Sequence, residues 1–274
     1  MEVYLEYTFS TLDEIPMSVL STMYGFESFE ELEDDSWKGF ISKPNWVAFG
    51  DGGEIHTYLL ENNITFSFSE IPPTNWNAIW EASFTPVVVE DFCCVRADFH
   101  PSDPTVKYDL VINPKMAFGT GHHATTWMVM KMMSDMDFKD KTVLDFGCGT
   151  GILAILSSKC GAKKIDAIDI EVESYLNTLE NAQVNNVQNI VAIHGILKDA
   201  NVQKYDIILA NINRHILLED CNELVSFLNV GGQLVLSGIL QSESDMIRSK
   251  YASIGLLHTH HLERDGWIAL SFVK

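Results

Sequence analysis

Basic residues are scarce in this chain, which has 18 lysines and arginines against 38 acidic residues and a formal net charge of −20. Residues 1–100 hold 3 basic and 18 acidic residues, whereas residues 101–274 hold 15 and 20. An N-terminal segment with this negative charge repels nucleic-acid phosphates and attracts basic proteins. We therefore expect a basic protein partner and no direct contact with nucleic acid. The alternative is an acidic surface that only keeps the protein soluble.

Long apolar runs and paired cysteines are also missing. No apolar run reaches the roughly 18 residues that a membrane-spanning helix needs. The first ten residues carry Glu2 and Glu6 and lack the basic cluster that begins a signal peptide. The five cysteines include no CxxC pair, and the adjacent Cys93 and Cys94 suit neither a disulfide framework nor a zinc site. We expect reduced thiols in a cytoplasmic protein with no membrane association.

The first part of the chain has the pattern of a small α+β domain. Four segments have strand patterns and two have helical patterns, in the order βαββαβ. In chain order, these are residues 3–9, 12–23, 25–35, 37–42, 54–61 and 64–71. This order predicts a ferredoxin-like domain over residues 1–72, which we expect to recognise the substrate.

A short linker is expected after this domain. Pro72 and Pro73 interrupt the strand pattern, and Trp76 and Trp80 are spaced to share one face of a helix. We predict a linker helix over residues 73–85, with the two tryptophans used for packing.

From Thr142 onward, strands and helices alternate, which predicts a parallel, doubly wound sheet. The predicted strands are TVLDFG, KIDAID, NIVAIHG, YDIILAN and GQLVLSG. The last stretch predicts two antiparallel strands around a turn at Asp265 and Gly266. The fold class is therefore α/β, with a doubly wound sheet in a domain of residues 86–274, preceded by the ferredoxin-like domain.

The turn in VLDFGCGTGILAI fits neither common phosphate-binding motif. Ile152 stands where a dinucleotide fingerprint needs its third glycine, and no P-loop lysine follows Gly151. A D-x-G-x-G-x-G turn is instead typical of S-adenosylmethionine-dependent methyltransferases, because its glycines let the backbone approach the ligand. Asp145 offers an acceptor for the amino group of that ligand. Asp169, 22 residues after Gly147, offers a carboxylate to both ribose hydroxyls.

Two further stretches are distinctive: NPKMAFGTGHHATT over residues 113–126 and LANINRHIL over residues 209–217. With the glycine-rich turn and AIDIE, they resemble the ribosomal protein L11 methyltransferase family. The signature of that family is P-x-x-A-F-G-T-G-x-H-x-T-T, D-x-G-x-G-x-G-x-L, D-I-D/E and Asn-Ile or Asn-Leu after the fourth strand. The resemblance spans about the whole chain and is specific from Asn113 to Gly238. The chain departs from the pattern at residues 113–115 and at Asn213 and Arg214.

The resemblance implies a Rossmann-like class I methyltransferase that moves methyl groups from S-adenosylmethionine to lysine side-chain and N-terminal amines. The implied substrate is a basic large-subunit ribosomal protein of the L11 type, which the acidic domain would bind. We expect the enzyme to be a monomer. Asn211 would orient the amine. The implied cofactor contacts are Thr126, Gly147, Asp169 and Asn211, with Phe118, Gly119 and Gly149 as additions.

Other interpretations remain open from the sequence. The same fold serves methyltransferases for RNA or small molecules, and an inert module could hold the cofactor or a ribosomal protein. Asn211 or Asn213 could cap the following helix, and Thr126 could merely begin a helix. We expect no metal, because adjacent histidines such as His122 and His123 rarely bind one ion together.

Overall fold

The computed structural model describes residues 3–32, 36–71, 85–113 and 118–274. The chain divides into two compact units, Met1–Ser83 and Phe84–Lys274. The linker helix predicted around Trp76 and Trp80 lies outside the described residues, so the domain limits given above stay predictions.

The first unit contains one four-stranded antiparallel sheet in the order β2-β3-β1-β4. Its elements are β1 (Tyr4–Phe9), α1 (Glu14–Tyr24), β2 (Phe26–Glu31), β3 (Trp37–Ser42), α2 (Lys43–Ala48), α3 (Gly53–Glu61) and β4 (Phe66–Ile71). On β1, Leu5, Tyr7 and Phe9 are buried and alternate with half-buried residues, so one face of the strand forms the core. This arrangement confirms the ferredoxin-like prediction.

Helix α2 was not predicted, because six residues are too short to show helical periodicity. Its local signal is Pro44 in the first turn after Ser42, where a helix tolerates proline.

The second unit begins with a small sheet that the sequence did not reveal. This sheet contains β5 (Val87–Val89), β6 (Cys93–Arg96) and β7 (Tyr108–Val111), in that order. Its strands have three or four residues, which is too few for a clear alternation of apolar and polar positions. Helix α4 (Ala124–Met133) follows and leads into the main sheet.

The main sheet has seven strands in the order β10-β9-β8-β11-β12-β14-β13. The strands are β8 (Thr142–Phe146), β9 (Lys164–Asp169), β10 (Ile190–His194), β11 (Tyr205–Asn211), β12 (Leu228–Leu240), β13 (Leu257–Arg264) and β14 (Trp267–Val273). The first five pair in parallel, and β14 pairs antiparallel with both β12 and β13. The doubly wound sheet and the final hairpin confirm the predictions.

Five helices lie in the connections between successive strands of the main sheet. They are α5 (Ile152–Lys159), α6 (Val172–Val184), α7 (Arg214–Glu219), α8 (Cys221–Phe227) and α9 (Ser244–Ser253). Helices α7 and α8 are separate and meet at Asp220. Within the described part of the chain, no helix is both long enough and apolar enough to cross a membrane.

The strand order reverses direction at β8. The chain moves from β8 outward to β9 and β10, and then returns to β11 on the other side of β8. In doubly wound sheets, ligands bind at such a reversal, beyond the carboxyl ends of the strands. This edge is where the glycine-rich turn, Asp169 and Asn211 lie.

Candidate active site

A cavity of about 790 Å³ lies at the carboxyl edge of the main sheet. Each of the strands β8, β9, β10 and β11 contributes a wall residue at or just after its end, namely Gly147, Asp169, Gly195 and Asn211. Five of the seven predicted contacts line the cavity: Phe118, Gly147, Gly149, Asp169 and Asn211. Thr126 and Gly119 are not among the lining residues, so their contact with a cofactor stays a prediction.

The glycine-rich turn requires glycine for two physical reasons. Gly147 and Gly149 have φ angles of +74° and +54°, which other residues rarely adopt. A Cβ at Gly147 would lie 2.0 Å from the Cγ2 atom of Ile212, and one at Gly149 would lie 2.2 Å from the Phe118 carbonyl oxygen. Neighbouring segments therefore pack directly onto the backbone of the turn.

Asp169 holds the turn and also faces the cavity. Its Oδ2 accepts a hydrogen bond from the Gly149 N–H at 2.9 Å, and its Oδ1 accepts one from the Glu171 N–H at 3.0 Å. An ionised carboxylate has about four lone-pair sites. The side chain therefore keeps acceptor capacity for donors from a ligand, such as the two hydroxyls of a ribose.

Asn211 is oriented by Thr126. The Asn211 Nδ2 donates to the Thr126 Oγ1 at 3.1 Å, and this bond holds the amide against α4. The Asn211 Oδ1 is buried and has no hydrogen-bond partner among the described residues. Thr126 is itself buried in α4. The pair leaves an acceptor oxygen for a ligand that donates an N–H.

The structure shows which residues cap helices α7 and α4. Asn213 caps α7, because its side chain accepts from the His215 N–H at 3.2 Å. Helix α4 is capped by His123, whose Nδ1 accepts from the Thr125 N–H at 3.4 Å. Asn211 therefore does not cap α7. The described residues contain no cluster of histidine, cysteine and acidic side chains that could hold a metal.

Asp145 lies beneath the turn at the end of β8, where it is only 1% exposed. Its Oδ2 accepts from the Ala154 N–H at 3.0 Å, whereas its Oδ1 has no partner among the described residues. Burial raises the pKa of the Asp145 carboxyl to about 7, and the nearby Asp169 carboxylate also raises it. Asp145 is not among the residues that line the cavity.

The remaining walls come from residues that the sequence did not single out. Most are apolar, and three are acidic: Phe146, Ile168, Ile170, Ile196, Ile212, Ile216, Glu171, Glu173 and Asp220. Among the described lining residues, none is lysine, arginine or histidine. An apolar pocket with a few polar groups suits an organic ligand, and acidic groups without basic ones do not suit phosphates. Three of them had a sequence signal: Ile170 and Glu171 directly follow Asp169, and Ile212 is the isoleucine of the Asn-Ile motif.

Comparisons with known proteins agree with this geometry. A family model for ribosomal protein L11 methyltransferases matches residues 53–274. Two relatives named ribosomal protein L11 methyltransferase, from Porphyromonas gingivalis and Phocaeicola vulgatus, are 39% and 37% identical. Each alignment covers 98% of this chain, and they cover 97% and 99% of the two relatives.

A solved structure of a ribosomal protein L11 methylase from Lactobacillus delbrueckii subsp. bulgaricus is also similar. It is 31% identical, with a TM-score of 0.63 over 70% of this chain and 99% of that chain. The fold is thus the Rossmann-like class I methyltransferase fold expected from the sequence. The chain therefore belongs to the ribosomal protein L11 methyltransferase family.

Proposed function

We propose that the cavity binds S-adenosylmethionine and that the enzyme methylates lysine side-chain and N-terminal amines of a basic, L11-type large-subunit ribosomal protein. The Asn211 side chain carries this proposal, because it lines the cavity and has a buried Oδ1 without a partner among the described residues. A buried oxygen without a donor is costly unless a ligand supplies the donor. An amine N–H is such a donor.

The cavity suits the cofactor in size and chemistry. Gly147, Gly149 and Phe118 would contact it along the turn, and Asp169 would accept from its ribose hydroxyls. Acidic walls without basic side chains favour a cationic sulfonium over a phosphate ligand. Gly119 and Thr126 would support the site through Thr150 and Asn211, to which they are hydrogen-bonded.

The substrate amine has to lose its proton before it can react. A free lysine has a pKa near 10.4, so only about one molecule in a few thousand is neutral at pH 7. The bound cofactor supplies a methyl group on a cationic sulfur, and this nearby charge, together with burial, lowers the pKa of the amine. The Asn211 Oδ1 would then accept one amine N–H and aim the lone pair. The described residues that line the cavity include no histidine and so no Asp–His or Glu–His pair to serve as a base. Positioning would therefore supply much of the acceleration.

The cofactor part of the proposal is tested by calorimetry. Asp169→Ala should weaken S-adenosylmethionine binding by about 2–4 kcal/mol, because a charged acceptor of two hydroxyls is lost. Asp245→Ala is the matched control, since it removes an acid whose side chain is fully exposed. An unchanged affinity in folded Asp169→Ala would remove Asp169 from the cofactor site.

The proposed protein substrate has two alternatives, which are RNA and a small molecule. The acidic excess of residues 1–100 favours a basic protein over RNA. A small molecule would not need such a surface. The proposed reaction also puts the enzyme in the cytoplasm, where ribosomal proteins are made, and we propose that it acts as a monomer.

A label-transfer assay distinguishes these substrates. The enzyme is incubated with methyl-labelled S-adenosylmethionine, unmethylated ribosomal proteins and ribosomal RNA. We expect the label in the protein fraction alone. Label in the RNA would favour the RNA alternative, and cofactor binding without any transfer would favour the inert module.

A further inference from the structure

The segment Phe118–Gly121, here called the FGTG loop, is tied to the glycine-rich turn through Thr150. The Thr150 backbone N–H donates to the Phe118 carbonyl at 2.9 Å. The Thr150 hydroxyl Oγ1 donates to the Gly119 carbonyl at 2.5 Å. Thr150 is fully buried. Two consecutive carbonyls of the loop are thus held by the two donors of one residue in the turn.

Asn181 on α6 connects this contact to the chain before the loop. Its Nδ2 donates to the Thr150 carbonyl at 2.9 Å, and its Oδ1 accepts from the Asn113 N–H at 3.1 Å. Asn177, one helical turn earlier, donates to the Asn113 carbonyl at 3.2 Å. Because an amide side chain both donates and accepts, Asn181 binds Asn113 and Thr150 at once.

The contact between the loop and the turn shapes the cavity. Phe118 and Gly149 both line it, and the Phe118 carbonyl lies where a Cβ on Gly149 would be. The Phe118 ring is exposed on one side and meets the His123 ring edge to face, with 5.6 Å between centroids. The position of the Phe118 backbone therefore sets the distance between this wall and the turn.

We propose that Thr150 is a positioning residue whose hydroxyl holds Phe118 and Gly119 against the glycine-rich turn and so forms one wall of the S-adenosylmethionine site. The inference rests on the proposed function, because it concerns the same cavity. Thr150 is not among the lining residues, so it acts through the FGTG loop and not by touching the ligand.

Two substitutions at Thr150 isolate the hydroxyl. Thr150→Val keeps the branched shape but removes the donor to Gly119, whereas Thr150→Ser keeps the donor. Thr178→Val is the matched control, because Thr178 is also fully buried and its hydroxyl donates to the Gly149 carbonyl at 3.0 Å. Among the described contacts, the Thr178 hydroxyl reaches only the turn, at Gly149 and Cys148, and not the loop.

The experiment measures amide hydrogen exchange at residue 150, whose N–H donates to the Phe118 carbonyl and so reports whether the loop is held, and the calorimetric Kd for S-adenosylmethionine in the full chain. We expect Thr150→Val to speed this loop exchange and to raise Kd, each by about tenfold, as for the loss of one hydrogen bond. Thr150→Ser should restore both values. Thr178→Val should leave loop exchange near that of the wild type.

Three results would overturn the inference. Unchanged loop exchange in Thr150→Val would show that the hydroxyl does not hold the loop. Equal acceleration in Thr178→Val would indicate general loosening of the turn, and faster exchange with an unchanged Kd would separate the loop from the cofactor wall. The exchange comparison needs no ligand, so it tests the role of Thr150 independently of cofactor binding. A wild type that binds no S-adenosylmethionine would instead refute the proposed function.

Discussion

Asn211 and Asn213 lie two residues apart and have different environments. Asn213 caps α7 through its side chain, whereas Asn211 bonds Thr126 and presents an unpartnered oxygen at the cavity. Sequence alone left both residues as candidate caps, because the bounds of α7 decide which of them precedes the helix. Both side chains line the cavity, but of the two only Asn211 has a buried atom without a partner among the described residues.

Substitution of Asn211 should mainly affect turnover. Asn211→Asp keeps an acceptor but removes the donor to Thr126 and adds a charge that favours the unreactive ammonium form of the substrate. We expect turnover to fall by about 10- to 1000-fold in Asn211→Asp and Asn211→Ala, the range of a lost orienting contact. Single-turnover assays at saturating cofactor measure this effect.

Asn229→Ala is the control for this prediction, because Asn229 is not among the residues that line the cavity and donates to the Asp206 Oδ1 at 2.9 Å. It should cost about 1 kcal/mol of stability, as for a lost hydrogen bond, and leave turnover near the wild-type value. Near-normal turnover in both Asn211 variants would show that another group orients the amine.

Asp145 should make the stability of the ligand-free protein depend on pH. Burial raises its pKa from 3.8 to about 7 in the folded state. Between these values the folded state binds more protons than the unfolded state, so the free energy of unfolding falls as pH rises, until about pH 7. Asp145→Asn cannot titrate and should lack this part of the decrease.

Urea unfolding of both proteins at several pH values from about 5 to about 8 tests the sign of this effect. The difference between the variant and the wild type is the relevant quantity, because other groups titrate equally in both. A difference between the wild type and Asp145→Asn that stays constant over this range would mean that Asp145 is already ionised in the folded protein.

Among the secondary-structure elements, those with a regular pattern of apolar residues could be predicted from the sequence. The parallel strands β8 to β12 could be predicted because buried strands form apolar runs separated by helices of ordinary length. The position of β14 between β12 and β13 could not, because pairing between strands distant in the chain leaves no local pattern. The same limit applies to the site, where Ile196 and Asp220 reach the cavity from different connections.

The contact between the FGTG loop and the glycine-rich turn predicts the effect of Gly149→Ala. The new Cβ would lie 2.2 Å from the Phe118 carbonyl oxygen, so the loop has to move. We expect cofactor affinity to fall by at least about tenfold, which corresponds to roughly one lost hydrogen bond. Calorimetry with S-adenosylmethionine measures the loss.

Gly231→Ala separates this clash from backbone strain. Gly231 has a φ of +77°, comparable to the +54° of Gly149, but a Cβ there would meet no atom within 4 Å. The control should lose only about 1–2 kcal/mol of stability and keep its cofactor affinity. Equal losses of affinity in both variants would attribute the effect to strain and not to the loop.

In the whole molecule, the excess of acidic residues and the proposed cofactor site lie in different parts of the chain. The acidic excess is concentrated in residues 1–100, whereas the described residues that line the cavity all belong to the unit Phe84–Lys274. We expect a fragment of residues 86–274 to bind S-adenosylmethionine normally but to methylate the ribosomal protein poorly. Full activity in the fragment would mean that the acidic unit does not grip the substrate.

The effect of salt on substrate binding by the full chain is a second test of the role of these acidic residues. Exposed charges are screened over about 10 Å at 0.1 M salt. The KM for the protein substrate should therefore rise with salt, while the Kd for the cofactor changes little.

The proposed function is tested most directly by mass spectrometry of an unmethylated L11-type ribosomal protein after incubation with the enzyme and S-adenosylmethionine. We expect added methyl groups on lysine side chains and the N-terminal amine. We also expect Asn211→Asp, assayed at saturating cofactor, to add them far more slowly. An unmodified protein, or methyl groups on residues other than amines, would refute the proposed function.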